Sequence, residues 1–367
     1  MKVAIVHYWL VNMRGGENVL ELLLDIFPQA DIFTLVFNPP AISKKIRQHK
    51  ITTSFIQKMP FGVKRYQQYL PFHPFAVEQF DLSNYDLVIS SESGSAKGFV
   101  GSPDTCHICY CETPMRYIWN MYHEYKRQLG PLKRVFWMFL SNYLRQWDYI
   151  NSQRVDYFIA NSKNVARRIM RYYNRDAVVI NCPVDFKRFR HEKNDGYYLF
   201  VGQLIPYKKA DLAVCAFNAM DKRLVVIGDG HERKGLEKIA GPNIEIVGEK
   251  RGEELVEYYA RCKAFIFPGE EDFGITPLEA MASGKPVVAY ARGGALETVV
   301  DGKTGVFFEE QSVDSLIAAV KRVEKINWDV ASIRSHAIQF DKSVTREKLQ
   351  MFILDKYKLF RDDLRNC

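Results

Sequence analysis

Phe267-Pro268-Gly269-Glu270-Glu271-Asp272-Phe273-Gly274-Ile275-Thr276-Pro277-Leu278-Glu279-Ala280 is the stretch on which the reading of this 367-residue chain turns. An apolar strand ends at Phe267, a glycine-containing loop follows, and a helix is expected from about Thr276-Pro277. Threonine is a good N-cap and proline suits the first helical position. That places Glu271 in the loop and Glu279 in the first turn of the helix. A helix start offers unpaired N–H groups to a phosphate or a developing negative charge. Two carboxylates beside such a site repel a phosphate unless they bind hydroxyls of the same ligand, which suggests a sugar nucleotide. Plain complementarity of acids to the helix dipole is the structural alternative.

The same strand, glycine loop and helix order recurs outward from this segment. An apolar run at 2–6 precedes Arg14-Gly15-Gly16 and a helical stretch at 19–26, and a second run at 197–201 precedes Gly202 and a helical stretch at 211–220. Further strand-like runs lie at 32–37, 87–90, 107–111, 157–160 and 177–180, and then at 223–227, 244–247, 264–267, 286–289 and 305–308. Helical patterns at 164–173, 252–260, 277–282 and 313–323 alternate with them. Such alternation implies parallel sheets with right-handed crossovers. The expected fold class is α/β, with two Rossmann-like domains: 1–185 and 196–343, joined by the polar linker 186–195. The helical stretch at 344–367 is expected to cross back to the first domain. Ligands of such sheets bind beyond the carboxyl ends of the strands, and clefts between domains are favoured sites.

Composition narrows the function. Apolar residues make up 47% and charged residues 26%, as in ordinary globular proteins, which excludes disordered and collagen-like chains. No window resembles a membrane span or a secretory leader, so a cytoplasmic protein with reduced thiols is expected. The net charge of +8 is uneven: residues 1–195 carry +9 and residues 196–367 carry −1. An anionic partner for the first half, or a merely solvated basic face, would each explain this. The stretch 125–149 mixes Lys126, Arg127, Lys133, Arg134 and Arg145 with Phe136, Trp137, Phe139, Tyr143 and Trp147. Basic residues among aromatics suit a membrane interface, and a core-packed amphipathic helix is the alternative. Cys106, Cys109 and Cys111 lack the partners for a tetrahedral metal set and read as a buried strand. A nicotinamide-dependent oxidoreductase would need G-x-G-x-x-G after the first strand, and only Gly15-Gly16 is there. No nucleic-acid-binding motif is present.

Other residues carry local chemistry. Gly15 and Gly16 let backbone N–H groups approach a diphosphate with no Cβ in the way; a tight turn is the alternative. Lys208 follows a strand and loop, where a fixed cation would neutralise a departing nucleoside diphosphate; a solvated surface pair Lys208-Lys209 is the alternative.

The segment Glu271-Asp272-Phe273-Gly274-Ile275-x-x-x-Glu279 resembles the E-x7-E signature of retaining glycosyltransferases of family 4. The resemblance continues in order along the chain, through His7-x-Trp9, Gly15-Gly16-Glu17, Thr113-Pro114-Met115-Arg116-Tyr117-x-Trp119, Asn161-Ser162 and Pro183-Val184-Asp185. Gly202-Gln203-Leu204-x-Pro206-Tyr207-Lys208-Lys209, Gly228-Asp229-Gly230 and Gly293-Gly294-x-x-Glu297 complete it. It implies a GT-B fold, with two Rossmann-like domains facing a central cleft, donor in the second and acceptor in the first, and no metal. By this resemblance Glu279 holds the ribose hydroxyls and Glu271 the transferred sugar. The N–H groups of Phe273, Gly274 and Ile275 face sugar and phosphate, and Lys208, joined by Lys209, binds the diphosphate.

The T-P-M-R-Y element resembles the mannosyltransferase-like branch of O-antigen and capsular polysaccharide synthesis. That implies a GDP-linked hexose and a glycan or polyprenyl-diphosphate-linked acceptor at the inner face of the cytoplasmic membrane. A UDP-sugar donor and a sugar-nucleotide epimerase are the alternatives. Two departures stand out. Gln203 occupies a position where the family commonly has arginine, and a neutral amide cannot replace that charge. Glu112 stands where this branch often carries histidine, near the transferred sugar.

Overall fold

Apolar runs bounded by turns form thirteen strands in the computed structural model, which describes residues 1–366. The first sheet contains β1 (Val3–His7), β2 (Asp31–Thr34), β3 (Ile51–Thr53), β4 (Leu87–Glu92), β5 (Cys106–Cys111), β6 (Tyr157–Ala160) and β7 (Ala177–Val179). Its order is β3-β2-β1-β4-β5-β6-β7. The second contains β8 (Tyr198–Val201), β9 (Leu224–Ile227), β10 (Ile244–Gly248), β11 (Ala264–Phe267), β12 (Val287–Tyr290) and β13 (Gly305–Phe308), in the order β10-β9-β8-β11-β12-β13. Every pairing is parallel, with Ile5 opposite both Ile32 and Ile89, and Phe265 opposite Leu199 and Val287. Central strands β1, β4 and β5 are buried along their whole length, as central strands of a parallel sheet covered on both faces should be. β3 was not expected: it is a three-residue edge strand, too short to show a pattern.

The chain divides into two compact units, Met1–Pro183 with the residues from Thr345 onward, and Val184–Val344. The polar segment 186–195 lies on the second unit, where the Glu192 N–H donates to the Ala260 carbonyl (3.2 Å) and the Asp195 N–H to the Arg261 carbonyl (2.9 Å). The last helix, Lys342–Asn366, belongs to the first unit from Thr345 on. It buries Leu349 and Ile353 there, and Arg346 donates to the Asp25 carbonyl at 3.3 Å.

The core of the second unit lies between the sheet and helices Ala210–Met220 and Val313–Lys325, with Phe200, Phe217, Val226, Ile266, Val288 and Leu316 at its centre. In each sheet the strand order reverses once, between β1 and β4 and between β8 and β11. Those switch points open a crevice at the carboxyl ends of the strands.

Candidate active site

In the second unit the loops after β8, β9 and β11 converge at the switch point through glycine contacts. A Cβ on Gly228 would lie 1.8 Å from the Gly202 carbonyl oxygen, and one on Gly269 would lie 2.9 Å from the Lys208 Cα. No side chain fits in either place, so the loop holding Lys208 is seated on the loop that follows β11. The result is an ion pair between Lys208 Nζ and Glu271 Oε1, with side chains only 22% and 13% exposed. The cation and the acid assigned to diphosphate and sugar are therefore neighbours. Lys209 is not part of that pair. It adopts a left-handed backbone (φ 57°) at the cap of helix Ala210–Met220. Its charge acts on Glu232, whose carboxyl is raised by burial and by Asp211 against the pull of His231 and Lys209. Gln203 is exposed on the same loop.

The helix after β11 spans Ile275–Ala282, two residues earlier than expected. Its cap is Gly274 at φ 90°, a conformation that glycine adopts without strain and threonine does not. Pro277 is thus the third helical residue, and Glu279 sits in the second turn, not the first. Gly274, Ile275 and Thr276 supply the N–H groups that lack intrahelical partners at this end, while Pro277 has none to offer. The loop beside them is clamped by Gly293 and Gly294. A Cβ on Gly293 would meet the Glu271 carbonyl oxygen at 2.3 Å, and Gly294 N–H donates to that oxygen at 2.9 Å. Glu279 accepts a hydrogen bond from the buried Tyr259 hydroxyl at 2.8 Å. Burial raises the Glu279 carboxyl, and Tyr259 and Arg188 oppose that rise.

In the first unit, β1 leads to helix Gly15–Ile26, whose cap residue Arg14 donates its N–H to Glu17 at 2.7 Å. Glu17 is buried, 3.6 Å from His7 Nε2. A Cβ on Gly16 would meet the Tyr8 hydroxyl at 2.3 Å and Glu112 Oε1 at 2.5 Å. The side of Gly16 that glycine leaves open is therefore filled by a phenol and a carboxylate. That side offers no cradle for an anion, and the close packing there requires the glycine. Glu112 and Tyr8, just past β5 and β1, meet at Gly16, with His7 at the end of β1 and Glu17 on the following helix beside them. Burial, then Glu112 and Glu17, hold the Tyr8 hydroxyl well above its usual range. Gly15 and Gly16 still begin a helix, whose first N–H groups face outward from it.

Two features escaped the sequence reading. Glu232 lies two residues beyond Gly228-Asp229-Gly230, and its buried Oε2 has no hydrogen-bond partner. Lys97 is fully buried between Glu92 (2.9 Å) and Asp148. Asp148 also accepts from Trp119 Nε1 at 2.7 Å and from Tyr173 at 2.8 Å. This network ties the Thr113–Trp119 segment to the long helix Pro131–Gln153. Cys106, Cys109 and Cys111 lie in β5, wholly buried. No group of three or more His, Cys, Asp or Glu side chains suited to a metal occurs among the described residues.

Comparison with known proteins agrees with this fold. Residues 13–188 match the model of Glycosyltransferase Family 4, and residues 183–340 match that of Glycosyl transferases group 1. An uncharacterized glycosyltransferase of Methanocaldococcus jannaschii is 29% identical over 229 residues, 60% of this chain and 64% of that protein. A GDP-mannose-dependent alpha-mannosyltransferase of Mycolicibacterium smegmatis is 39% identical over 141 residues, 37% of each chain. The matches thus span less than two thirds of either relative. The crystal structure of Anabaena HepE with UDP-glucose superposes with a TM-score of 0.71 at 15% identity, covering 97% of this chain and 100% of that one. The chain is therefore built of a glycosyltransferase family 4 domain followed by a glycosyl transferases group 1 domain, in the GT-B fold.

Proposed function

We propose that the protein is a retaining hexosyltransferase that moves mannose or a related hexose from a GDP-linked donor to a hydroxyl of a glycan or polyprenyl-diphosphate-linked acceptor. The pairing of Lys208 with Glu271 beside the start of helix Ile275–Ala282 is the observation that carries this reading. One site then holds a cation and helix N–H groups for the diphosphate, and an acid for the sugar hydroxyls. Glu279 accepts the ribose hydroxyls. The sugar C1–phosphate bond breaks and the acceptor oxygen bonds to the same face of C1. The acceptor proton passes to the leaving phosphate oxygen, so no protein nucleophile is needed. Lys208 and the helix start stabilise the charge on that oxygen, a role that removes about 3 kcal/mol or more from such barriers. No metal is assigned to this step. The first unit takes the acceptor, and Glu112 accepts a hydrogen bond from a sugar hydroxyl.

The GDP-mannose-dependent relative supports guanine as the donor's base. The HepE complex supports a second reading with a UDP-sugar. The process would be O-antigen or capsular polysaccharide assembly at the inner face of the cytoplasmic membrane. Thermal shift with GDP, UDP, ADP and their sugars separates the donors, because a ligand of the native state raises its melting temperature. Stabilisation by GDP and GDP-mannose, followed by radiolabel transfer that survives EDTA, is expected. Indifference to every nucleotide would overturn the assignment, and epimerised donor without acceptor would replace it.

A further inference from the structure

Helix Pro131–Gln153 presents two different faces. Its inner face is ordinary: Ser141, Leu144, Trp147, Asp148 and Asn151 are buried. There Arg145 donates to the Ile118 carbonyl at 3.0 Å, and Asp148 holds Trp119. The opposite face is inverted relative to a soluble helix. Leu132, Phe136, Phe139, Tyr143 and Ile150 recur at spacings that keep one stripe, and all are exposed, Leu132 at 86% and Phe139 at 73%. An aromatic and aliphatic stripe of this length turned to water marks an interaction surface.

The rim of that stripe is basic. His123, Lys126, Arg127 and Arg134 line an open cavity of about 390 Å³ at the start of the helix. Arg134 is held in place by hydrogen bonds to the carbonyls of Leu129 (2.7 Å) and Arg127 (2.9 Å). Lys133 lies beside it in sequence. A second exposed aromatic set, Phe61, Phe72 and Phe75, accompanies Lys58, Lys64 and Arg65. Its segment packs on the same helix, where Trp147 donates to Glu78 at 2.8 Å and Leu70 joins the cluster around Leu144.

We propose that this face of helix Pro131–Gln153 docks the protein on an anionic phospholipid surface, with the apolar stripe entering the acyl boundary and the basic cavity taking a headgroup phosphate. The charge decides the occupant. A second copy would bring two sets of Lys126, Arg127, Lys133 and Arg134 together around a two-fold axis, and like charges oppose that contact. An anionic bilayer satisfies both the stripe and the rim. Because the inner face holds Ile118 and Trp119, docking would also anchor the Thr113–Trp119 segment at the membrane. This deepens the reading of a lipid-linked acceptor and is tested apart from it.

Vesicle flotation of the full chain is the experiment. The protein should float with phosphatidylcholine–phosphatidylglycerol vesicles and not with phosphatidylcholine alone, and salt should release it. Phe136→Ser with Phe139→Ser should weaken retention about tenfold or more, and each of Lys133→Glu and Arg134→Glu about fivefold. Melting temperature and nucleotide response should not change in these variants. Failure of the wild-type chain to float with anionic vesicles, or equal flotation of the variants, overturns the proposal. A dimer in sedimentation equilibrium that Phe139→Ser dissociates overturns it in favour of a second copy. Nucleotide indifference with flotation intact would remove the donor reading and leave this one standing.

Discussion

Replacing Glu271 by glutamine should strengthen nucleoside diphosphate binding while abolishing sugar transfer. In the unliganded protein Lys208 is already neutralised by Glu271, and both side chains are mostly buried. A diphosphate has to win the ammonium from that acid and tolerate the acid's charge. Exposed pairs of this kind couple by up to about 1 kcal/mol, and reduced exposure raises the value to about 1–2 kcal/mol. Glu271→Gln removes this competition, so GDP or UDP should bind roughly 5- to 30-fold more tightly. Transfer should fall by about 10²–10³, the usual cost of losing a group aimed at the reacting sugar. Lys208→Met should weaken both. In the double variant the gain from the glutamine should shrink, because the cation for which phosphate and acid compete is gone. Titration calorimetry with the free nucleotides measures binding, radiolabel transfer measures turnover, and a melting curve checks folding. Weaker nucleotide binding in Glu271→Gln, in step with lost transfer, would refute the competition and reduce Glu271 to a support of its loop.

Three further outcomes follow from the buried groups. Lys97→Met leaves Glu92 and Asp148 buried without their cation and should cost about 3–5 kcal/mol in urea unfolding. The Glu92 carboxyl is raised by burial, so this penalty should be larger at about pH 8 than at about pH 5, where the acid takes up a proton. Tyr259→Phe removes a bond that holds the Glu279 carboxyl down, so the pH midpoint of nucleotide binding should move upward, with about 1 kcal/mol of stability lost. Burial alone would raise Glu324, but hydrogen bonds from Lys222, Lys263 and Tyr198 bring it down to about 2. Its contribution is therefore present above its unfolded value and lost as pH falls toward the folded one. Glu324→Gln should cost about 2–3 kcal/mol at neutral pH and progressively less in acid.

All six strands of the second unit were legible, since each is an apolar run between turn residues. So was the extra helix at the end of the chain. β3 was not, because Ile51-Thr52-Thr53 at a sheet edge has neither length nor alternation. The helix after β11 was placed two residues late because Thr276-Pro277 is a good local start, and the competing start depends on Gly274 taking a left-handed backbone, which appears only when the loop is closed. Glu271 and Lys208 could each be picked from motifs, but their pairing joins the ends of β8 and β11 and exists only through strand order. Lys97 reads as a surface lysine. Nothing near it in sequence announces Asp148 on a distant helix.

The uneven charge also takes on a physical sense. The second unit has no excess of basic residues, although it is the unit assigned to a nucleoside diphosphate. On the proposed reading none is required: one lysine seated by glycine contacts and a short row of helix N–H groups would act at a fixed point, where a broad positive field would be screened within about 10 Å. A diffuse positive surface suits a partner that is itself a surface. The excess of the first half fits that description, because Lys126, Arg127, Lys133 and Arg134 border an exposed apolar stripe instead of converging on the Glu17–Glu112 site. That site is acidic, and it would gain nothing from them as a binder of neutral sugar hydroxyls. If both proposals hold, charge separates two tasks within one unit: an uncharged acceptor group at the end of β1, and an anionic plane along helix Pro131–Gln153.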